Sequence, residues 1–206
     1  MNSTAVVVFI VIWIGIGLIT GLWMARRGHS PTWTIVAVIL GPLFVPIAFE
    51  RAERRPVIAA VGPESPESPE VGASSGKPRL LIGLDGSAES ERALDAALDL
   101  MGSRCGTVIL AEVVSYDDAS EVTSGNEVEE ASGRLAKVAS RVAGVRTSYE
   151  VLAGPPSEAL RKFAEEQDVD LLVVSRRGRG LSKRLMGSVS TDLVQHAKVP
   201  VLVIEP

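Results

Sequence analysis

An uncharged apolar run near the N-terminus places the tightest constraint on how this chain can fold. Ala5 to Ala25 reads AVVVFIVIWIGIGLITGLWMA and contains no charged side chain. At 1.5 Å of rise per residue, about 20 helical residues cover the roughly 30 Å hydrocarbon core of a bilayer. A cleaved signal peptide is the competing interpretation, but no basic stretch precedes the run, and the run is longer than a signal core. The run therefore predicts a membrane span.

A second, shorter apolar run extends from Trp33 to Phe49 and contains Gly41-Pro42 and Pro46. Membrane helices tolerate proline when the freed backbone groups find partners. The run can therefore complete a two-helix hairpin or lie as a re-entrant or interfacial segment. We expect the hairpin, so that residues 1–55 form a membrane unit with spans at 5–25 and 33–49.

Arginines flank the second run on both sides and leave its orientation open. Arg26 and Arg27 precede it, and Arg51, Arg54 and Arg55 follow it. Because positive charge favours the cytoplasmic side, the two flanks compete. We expect both ends of the hairpin in the cytoplasm, which places the rest of the chain on the cytoplasmic face of the cell membrane.

Composition changes abruptly at residues 56–78. This segment contains the Pro-Glu-Ser repeat PESPESPE at 63–70, followed by Gly72, Ala73, Ser74, Ser75 and Gly76. Such a sequence buries little apolar surface and stays extended. We expect residues 56–78 to be a disordered linker between the membrane unit and a soluble domain at 79–206.

Residues 79–206 alternate between short apolar runs and amphipathic segments, which is typical of an α/β domain. The expected strands are 80–84, 107–114, 145–152, 170–174 and 200–204. Strands separated by helices favour parallel pairing with right-handed crossovers. The sequence predicts a five-stranded, mostly parallel open sheet with helices on both faces, preceded by one or two transmembrane helices.

The stretch from Asp170 to Val189 combines a strand, a glycine-rich basic loop and a helix start. Gly178 and Gly180 permit tight turns and close approach of an anion to backbone N–H groups. Gly187 and Ser188 open the next helix, whose N-terminus favours negative charge. The sequence therefore indicates a phosphate site, with a solvated basic loop as the alternative.

Other candidate ligand groups fall at the same edge of the predicted sheet. Asp85 follows the first strand, and Val113 lies at the end of the second. Ligands of open α/β sheets bind outside the carboxyl ends of the strands. Asp85 can accept hydrogen bonds from ribose hydroxyls or hold a divalent cation, or it can simply cap the next helix. The backbone at Val113 can bond an adenine ring.

Charge and cysteine content exclude two other classes of protein. The net charge is −4, and because residues 1–55 carry +3, the remainder carries −7. That negative balance argues against a nucleic-acid partner. Cys105 is the single cysteine, which excludes an intrachain disulfide framework and a cysteine-based metal site.

Four passages of the soluble domain resemble the universal stress protein family. They are LLIGLDGSAESERALDAAL at 80–98, the G-P-P-x-E-A-L passage at 154–160, DLLVVSRRGRG at 170–180 and LMGSVSTDLVQHAKVPVLVIEP at 185–206. The resemblance covers the whole soluble domain and implies the sheet predicted above. It also implies a homodimer through the final strand, 200–204, whose apolar edge would otherwise be exposed.

The nucleotide-binding branch of that family carries the motif G-x2-G-x9-G-[ST]. The resemblance implies that Asp85 and Val113 contact ribose and adenine, and that the loop contacts the phosphates. The implied phosphate ligands are Gly178, Gly187, Ser188 and Val189, with Gly180 supplying flexibility. This chain departs from the motif because Ser175 replaces the first glycine and only eight residues separate Gly178 from Gly187.

Three functions follow from these observations. The first is a membrane-tethered, nucleotide-binding regulatory module in stress response, with ATP as the expected ligand and Mg²⁺ accompanying it. The second is a dimeric interaction module that has lost nucleotide binding, which the altered motif favours. The third, slow ATP hydrolysis using Asp85 and a metal, has little support, because no Ser-His-Asp order or metal cluster is evident. We therefore expect a protein that is not an enzyme.

Overall fold

The structure is a computed structural model that describes residues 3–26, 32–52, 57–61, 76–116, 125–178 and 186–205. The described residues form an N-terminal group of apolar helices and an α/β domain. The predicted ligand residue Gly180 and most of the predicted linker lie outside the described residues.

The N-terminal residues form a helical hairpin. Helix α1 spans Ser3–Arg26, and the returning arm consists of α2, Thr32–Leu40, and α3, Phe44–Ala52. A 3-10 turn, Gly41–Leu43, joins the two short helices at the Gly-Pro pair. Because proline lacks a backbone N–H and clashes with the preceding turn, one uninterrupted helix is disfavoured there.

Small residues let the two arms of the hairpin approach closely. A Cβ atom built on Gly17 would lie 2.7 Å from the Cα of Val38, and one built on Gly21 would lie 2.6 Å from the Cα of Thr34. Glycines four residues apart on one face are typical of helix pairs packed within membranes. The indole Nε1 of Trp13 also donates to the carbonyl oxygen of Ile39 at 3.2 Å.

The outer surface of the hairpin is apolar. Phe9, Ile19 and Ile39 are each more than 60% exposed, whereas a small cluster around Met24 and Phe44 is buried. Residues Val6–Met24 are long and apolar enough to cross a membrane, judged by length and composition. The predicted long apolar helix is thus present.

The α/β domain is built on a six-stranded mixed sheet with the order β1-β4-β3-β2-β5-β6. Strands β2 to β6 run parallel, and β1 pairs antiparallel with β4. The strands are β1 Val57–Val61, β2 Arg79–Leu84, β3 Thr107–Val114, β4 Arg146–Ala153, β5 Leu171–Ser175 and β6 Val201–Ile204. The predicted parallel arrangement is confirmed.

Strand β1 corrects two predictions from the sequence, because the sheet has six strands rather than five and residues 57–61 are not linker. The run VIAAV precedes the Pro-Glu-Ser repeat, and composition alone does not separate it from the linker. Ala59 and Ala60 pack against the core, and the run gains backbone hydrogen bonds at the free edge of β4, from Val57 opposite Ala153 to Val61 opposite Glu150. A run of five residues is stable as a strand only when a neighbouring strand pairs with it.

Helices cover both faces of the sheet, as predicted. The helices are α4 Ala88–Met101, α5 Gly125–Ala139, α6 Pro156–Glu166 and α7 Ser188–His196. Leu94 of α4 and Leu135 of α5 belong to the core on one face. Phe163 of α6 and Leu193 of α7 belong to the core on the other face.

Glu150 lies half-buried on β4, beside the added strand. Its Oε2 atom is buried and has no hydrogen-bond partner among the described residues. Burial raises the pKa of this carboxyl from its ordinary value of 4.5 to about 7. The protein therefore holds Glu150 in its neutral form at mildly acidic pH.

We expect the substitution Glu150→Gln to remove part of the pH dependence of stability. The contribution of a raised carboxyl pKa is fully present below the unfolded pKa and is lost as the pH rises through about 7. At about pH 8 the variant should gain about 1–2 kcal/mol over the parent, a figure reduced for partial solvent screening. The gain should vanish at about pH 4, below the unfolded pKa, and an equal gain in thermal stability at both values would contradict this assignment.

Candidate functional site

A cleft of about 460 Å³ opens at the carboxyl ends of the parallel strands. We call it the rim cleft. Its walls come from the ends of β2, β3 and β5 and from the first turns of α6 and α7. The rim cleft is lined by every described residue predicted from the sequence to bind ligand, namely Asp85, Val113, Gly178, Gly187, Ser188 and Val189. Parallel pairing brings these distant segments to one edge.

One part of the rim cleft is apolar. Val113, Leu160, Val174 and Met186 contribute to its lining. Leu160 and Val174 belong to the buried core beneath, whose packing fixes their positions. A slot of this kind suits a flat apolar or aromatic group, because ligand pockets bury most of such a surface against hydrophobic side chains.

Asp85 is held in a fixed orientation at the mouth of the cleft. Its Oδ1 accepts hydrogen bonds from the backbone N of Ser87 at 3.0 Å and from the Ser87 hydroxyl at 2.5 Å. Ser87 is the residue that caps α4, since its side chain accepts from the N–H of Ser90 at 3.2 Å. Asp85 therefore supports the capping residue, and it is not itself the cap.

Gly178 lies directly against the side chain of Asp85. A Cβ atom built on Gly178 would overlap the Oδ2 atom of that carboxylate. Glycine at 178 is consequently required by close approach between the loop and the end of β2.

Ser175, which replaces the first glycine of the family motif, uses its side chain to shape the loop. Its hydroxyl donates to the backbone carbonyl of Arg177 two residues later. Such local side-chain bonds stabilise a turn in place of the flexibility that glycine would supply.

The two ends of the loop are joined at the start of α7. The N–H of Gly187 and the hydroxyl of Ser190 both donate to the carbonyl oxygen of Arg176, at 2.9 and 3.0 Å. This places the first turn of α7, including Ser188 and Val189, against the cleft. N–H groups of a helix's first turn have no partner within the helix and attract anions.

Two arginines line the same end of the cleft and share one counter-ion. The guanidinium of Arg176 contacts the carboxylate of Glu205, and that of Arg177 lies 3.6 Å from the same oxygen. The Nε atom of Arg177 is buried and has no hydrogen-bond partner among the described residues. Two guanidinium groups share this single carboxylate, so this end of the cleft carries a net positive charge that favours an anionic ligand.

Glu205 is a site residue that the sequence did not predict. Residue 205 follows β6, and the parallel register that sets Ile204 beside Ser175 brings it next to Arg176. The contact of Glu205 with Arg176 depends on the pairing of β5 with β6, and no local sequence motif predicts that pairing. Within the described part of the chain, no group of three metal-ligating side chains is present.

The universal stress protein family profile matches residues 78–205 of this chain. Universal stress protein Rv1636 of Mycobacterium tuberculosis is 28% identical over 137 residues, which cover 61% of this chain and 94% of that protein. Strand β1 precedes the matched region and is therefore an addition to it.

Two solved structures are similar to the α/β domain. A universal stress protein family member from Burkholderia pseudomallei is 26% identical, with a TM-score of 0.51 over 65% of this chain and 100% of that one. Hypothetical protein MJ0577 is 24% identical, with a TM-score of 0.56 over 62% of this chain and 95% of that one, and it shows the fold alone. The fold, the rim cleft and the match across more than half of the sequence agree: this chain belongs to the universal stress protein family.

Proposed function

We propose that this protein is a membrane-tethered universal stress protein whose rim cleft binds an adenine nucleotide, ATP in the first place, as a regulatory module. The observation that carries the proposal is the first turn of α7 beside two arginines that share one counter-ion, at one end of a cleft whose other part is apolar. A nucleotide joins a flat aromatic base to an anionic tail, and the two parts of the cleft match those two chemistries.

Each predicted residue that the structure describes has a role in this proposal. The backbone at Val113 would bond the base, and Asp85 would accept from ribose hydroxyls or face a Mg²⁺ ion carried by the phosphates. The loop and helix start would receive the phosphates through Gly178, Gly187, Ser188 and Val189. The hydrogen bond of Ser175 to the loop supports this assignment despite the altered motif.

The proposal includes the membrane and a second copy of the chain. The exposed apolar surface of the hairpin supports insertion in the cell membrane, and we place the α/β domain on the cytoplasmic side. Strand β6 lies at an edge of the sheet with half-buried apolar side chains, which supports a homodimer through residues 200–204.

Calorimetric titration of the full chain in lipid nanodiscs tests nucleotide binding. We expect ATP to bind with a Kd of about 1–100 µM, equivalent to about 5–8 kcal/mol. Titrations with AMP and cyclic AMP, and with ATP in the absence of Mg²⁺, identify the groups that are recognised. No heat of binding with any of the three nucleotides would contradict the proposal.

The shortened glycine spacing favours one alternative, a tethered dimeric interaction module that binds no nucleotide. In that case partner binding would be unaffected by substitutions in the rim cleft. We further propose that the protein is not an enzyme. Slow release of phosphate from ATP, dependent on Asp85 and Mg²⁺, would contradict the proposal that the protein is not an enzyme.

A further inference from the structure

We propose that strand β1 holds the rim cleft on the side of the α/β domain that faces the lipid surface. The inference rests on the membrane insertion proposed above and adds an orientation to it. The partner surface is the headgroup layer of the bilayer, and the element that fixes the orientation is a strand outside the family's matched region.

The connection between the hairpin and the sheet is short. Helix α3 ends at Ala52, and β1 begins at Val57. Five steps between successive Cα atoms, each about 3.8 Å, separate these residues by about 19 Å at most. Glu50 is the first charged residue after the apolar arm, so the end of α3 lies at the membrane surface if the hairpin is inserted. Val57 must therefore lie close to that surface.

The register of β1 determines which end of the sheet is close. Val57 pairs with Ala153, the last residue of β4, and Ala153 pairs with Val114 at the end of β3. Two strand spacings amount to about 10 Å, which brings Val57 near Val113 at the wall of the rim cleft. The opposite end of β4, Arg146, is seven residues and about 23 Å farther along the strand.

Without β1 the orientation would be free. Residues 53–78 would then form a tether of about 85 Å when fully extended, enough for any face of the domain to meet the bilayer. Pairing of residues 57–61 with β4 removes most of that length. A ligand entering the rim cleft would then pass between the domain and the headgroups, where anionic lipids would oppose a phosphate group.

Spin-label relaxation in full-length protein, reconstituted into vesicles with Ni²⁺-chelating headgroups, tests the orientation. Single labels are placed through Glu158→Cys near the cleft and Ala143→Cys at the opposite end of the domain, both exposed positions, in a Cys105→Ser background. We expect relaxation by headgroup Ni²⁺ to be several-fold stronger at 158 than at 143. Equal or reversed relaxation would overturn the orientation.

Two matched insertions test the role of β1. A Gly/Ser insert of about twenty residues spans about 25 Å. Placed between Ala52 and Val57, it should abolish the difference between the two labels. The same insert placed after Gly72, downstream of β1, should leave the difference intact. The proposal would be overturned if the difference in relaxation between the two labels survived the first insert or disappeared with the second.

Flotation of the full chain with the vesicles tests membrane insertion separately from the orientation of the α/β domain. A chain that fails to float would contradict membrane insertion and, with it, the orientation. A chain that floats but shows no difference between the labels would contradict the orientation alone.

Discussion

The substitution Gly187→Arg is expected to abolish nucleotide binding by the rim cleft. A Cβ atom at position 187 would lie 3.2 Å from the carbonyl oxygen of Arg176 and 3.4 Å from the hydroxyl of Ser190, so even a small side chain disturbs the start of α7. An arginine side chain would also occupy the space in which the phosphates are expected to bind. We expect calorimetry to show a loss of affinity of about 100-fold or more, or about 2.7 kcal/mol.

A control with the same change of charge is available on α5. Gly133 is exposed, and a Cβ atom built there meets no atom within 4 Å, so Gly133→Arg adds the same side chain away from the cleft. We expect wild-type affinity for that variant. If both variants lost binding equally, the effect would be one of overall charge. If neither did, the rim cleft would not be the nucleotide site.

The substitution Arg134→Ala is expected to produce the largest loss of stability. Arg134 on α5 donates to the carboxylate of Glu112 on β3 through Nη2 at 2.7 Å and Nε at 3.2 Å. Glu112 is only 4% exposed, so removal of its partner leaves a buried charge without compensation. Breaking a buried pair in this way costs about 3 kcal/mol, which thermal or chemical unfolding of the α/β domain would measure.

A double variant of Glu112 and Arg134 separates the effect of the unpaired charge from the loss of packing. The double substitution Glu112→Gln with Arg134→Ala removes both charges and loses the same alkyl chain as the single variant, and we expect it to recover much of the lost stability. Arg141→Ala breaks an exposed pair with Glu91, so no measurable change is expected. A double variant no more stable than Arg134→Ala alone would show that the alkyl chain of Arg134, and not its charge, stabilises the domain.

Sequence predicted the fold and the place of the site because both follow from local patterns and one topological rule. Apolar runs bounded by turns indicated the parallel strands, and parallel pairing brings their carboxyl ends together. Asp85, Val113 and Gly187 could therefore be assigned to one edge of the sheet before any coordinates were known.

The features that sequence did not predict depend on contacts across the fold. Strand β1 is a five-residue apolar run whose strand character comes from the free edge of β4, and nothing within the run distinguishes it from linker. The pairs of Glu205 with Arg176 and of Glu112 with Arg134 join residues on different elements. Many acidic and basic residues are available in this chain, and spacing alone does not select among them.

The sixth strand also limits how many copies of the chain can join through their sheets. A sheet with two regular edges can polymerise without end, because each added copy presents a fresh edge. Here β1 covers one edge with a strand that carries a β-bulge between Ile58 and Ala60, and the bulge weakens further pairing. Strand β6 is left as the regular edge, so the sheet has an effective valence of one, and association through the β6 contact proposed above would end at a closed pair.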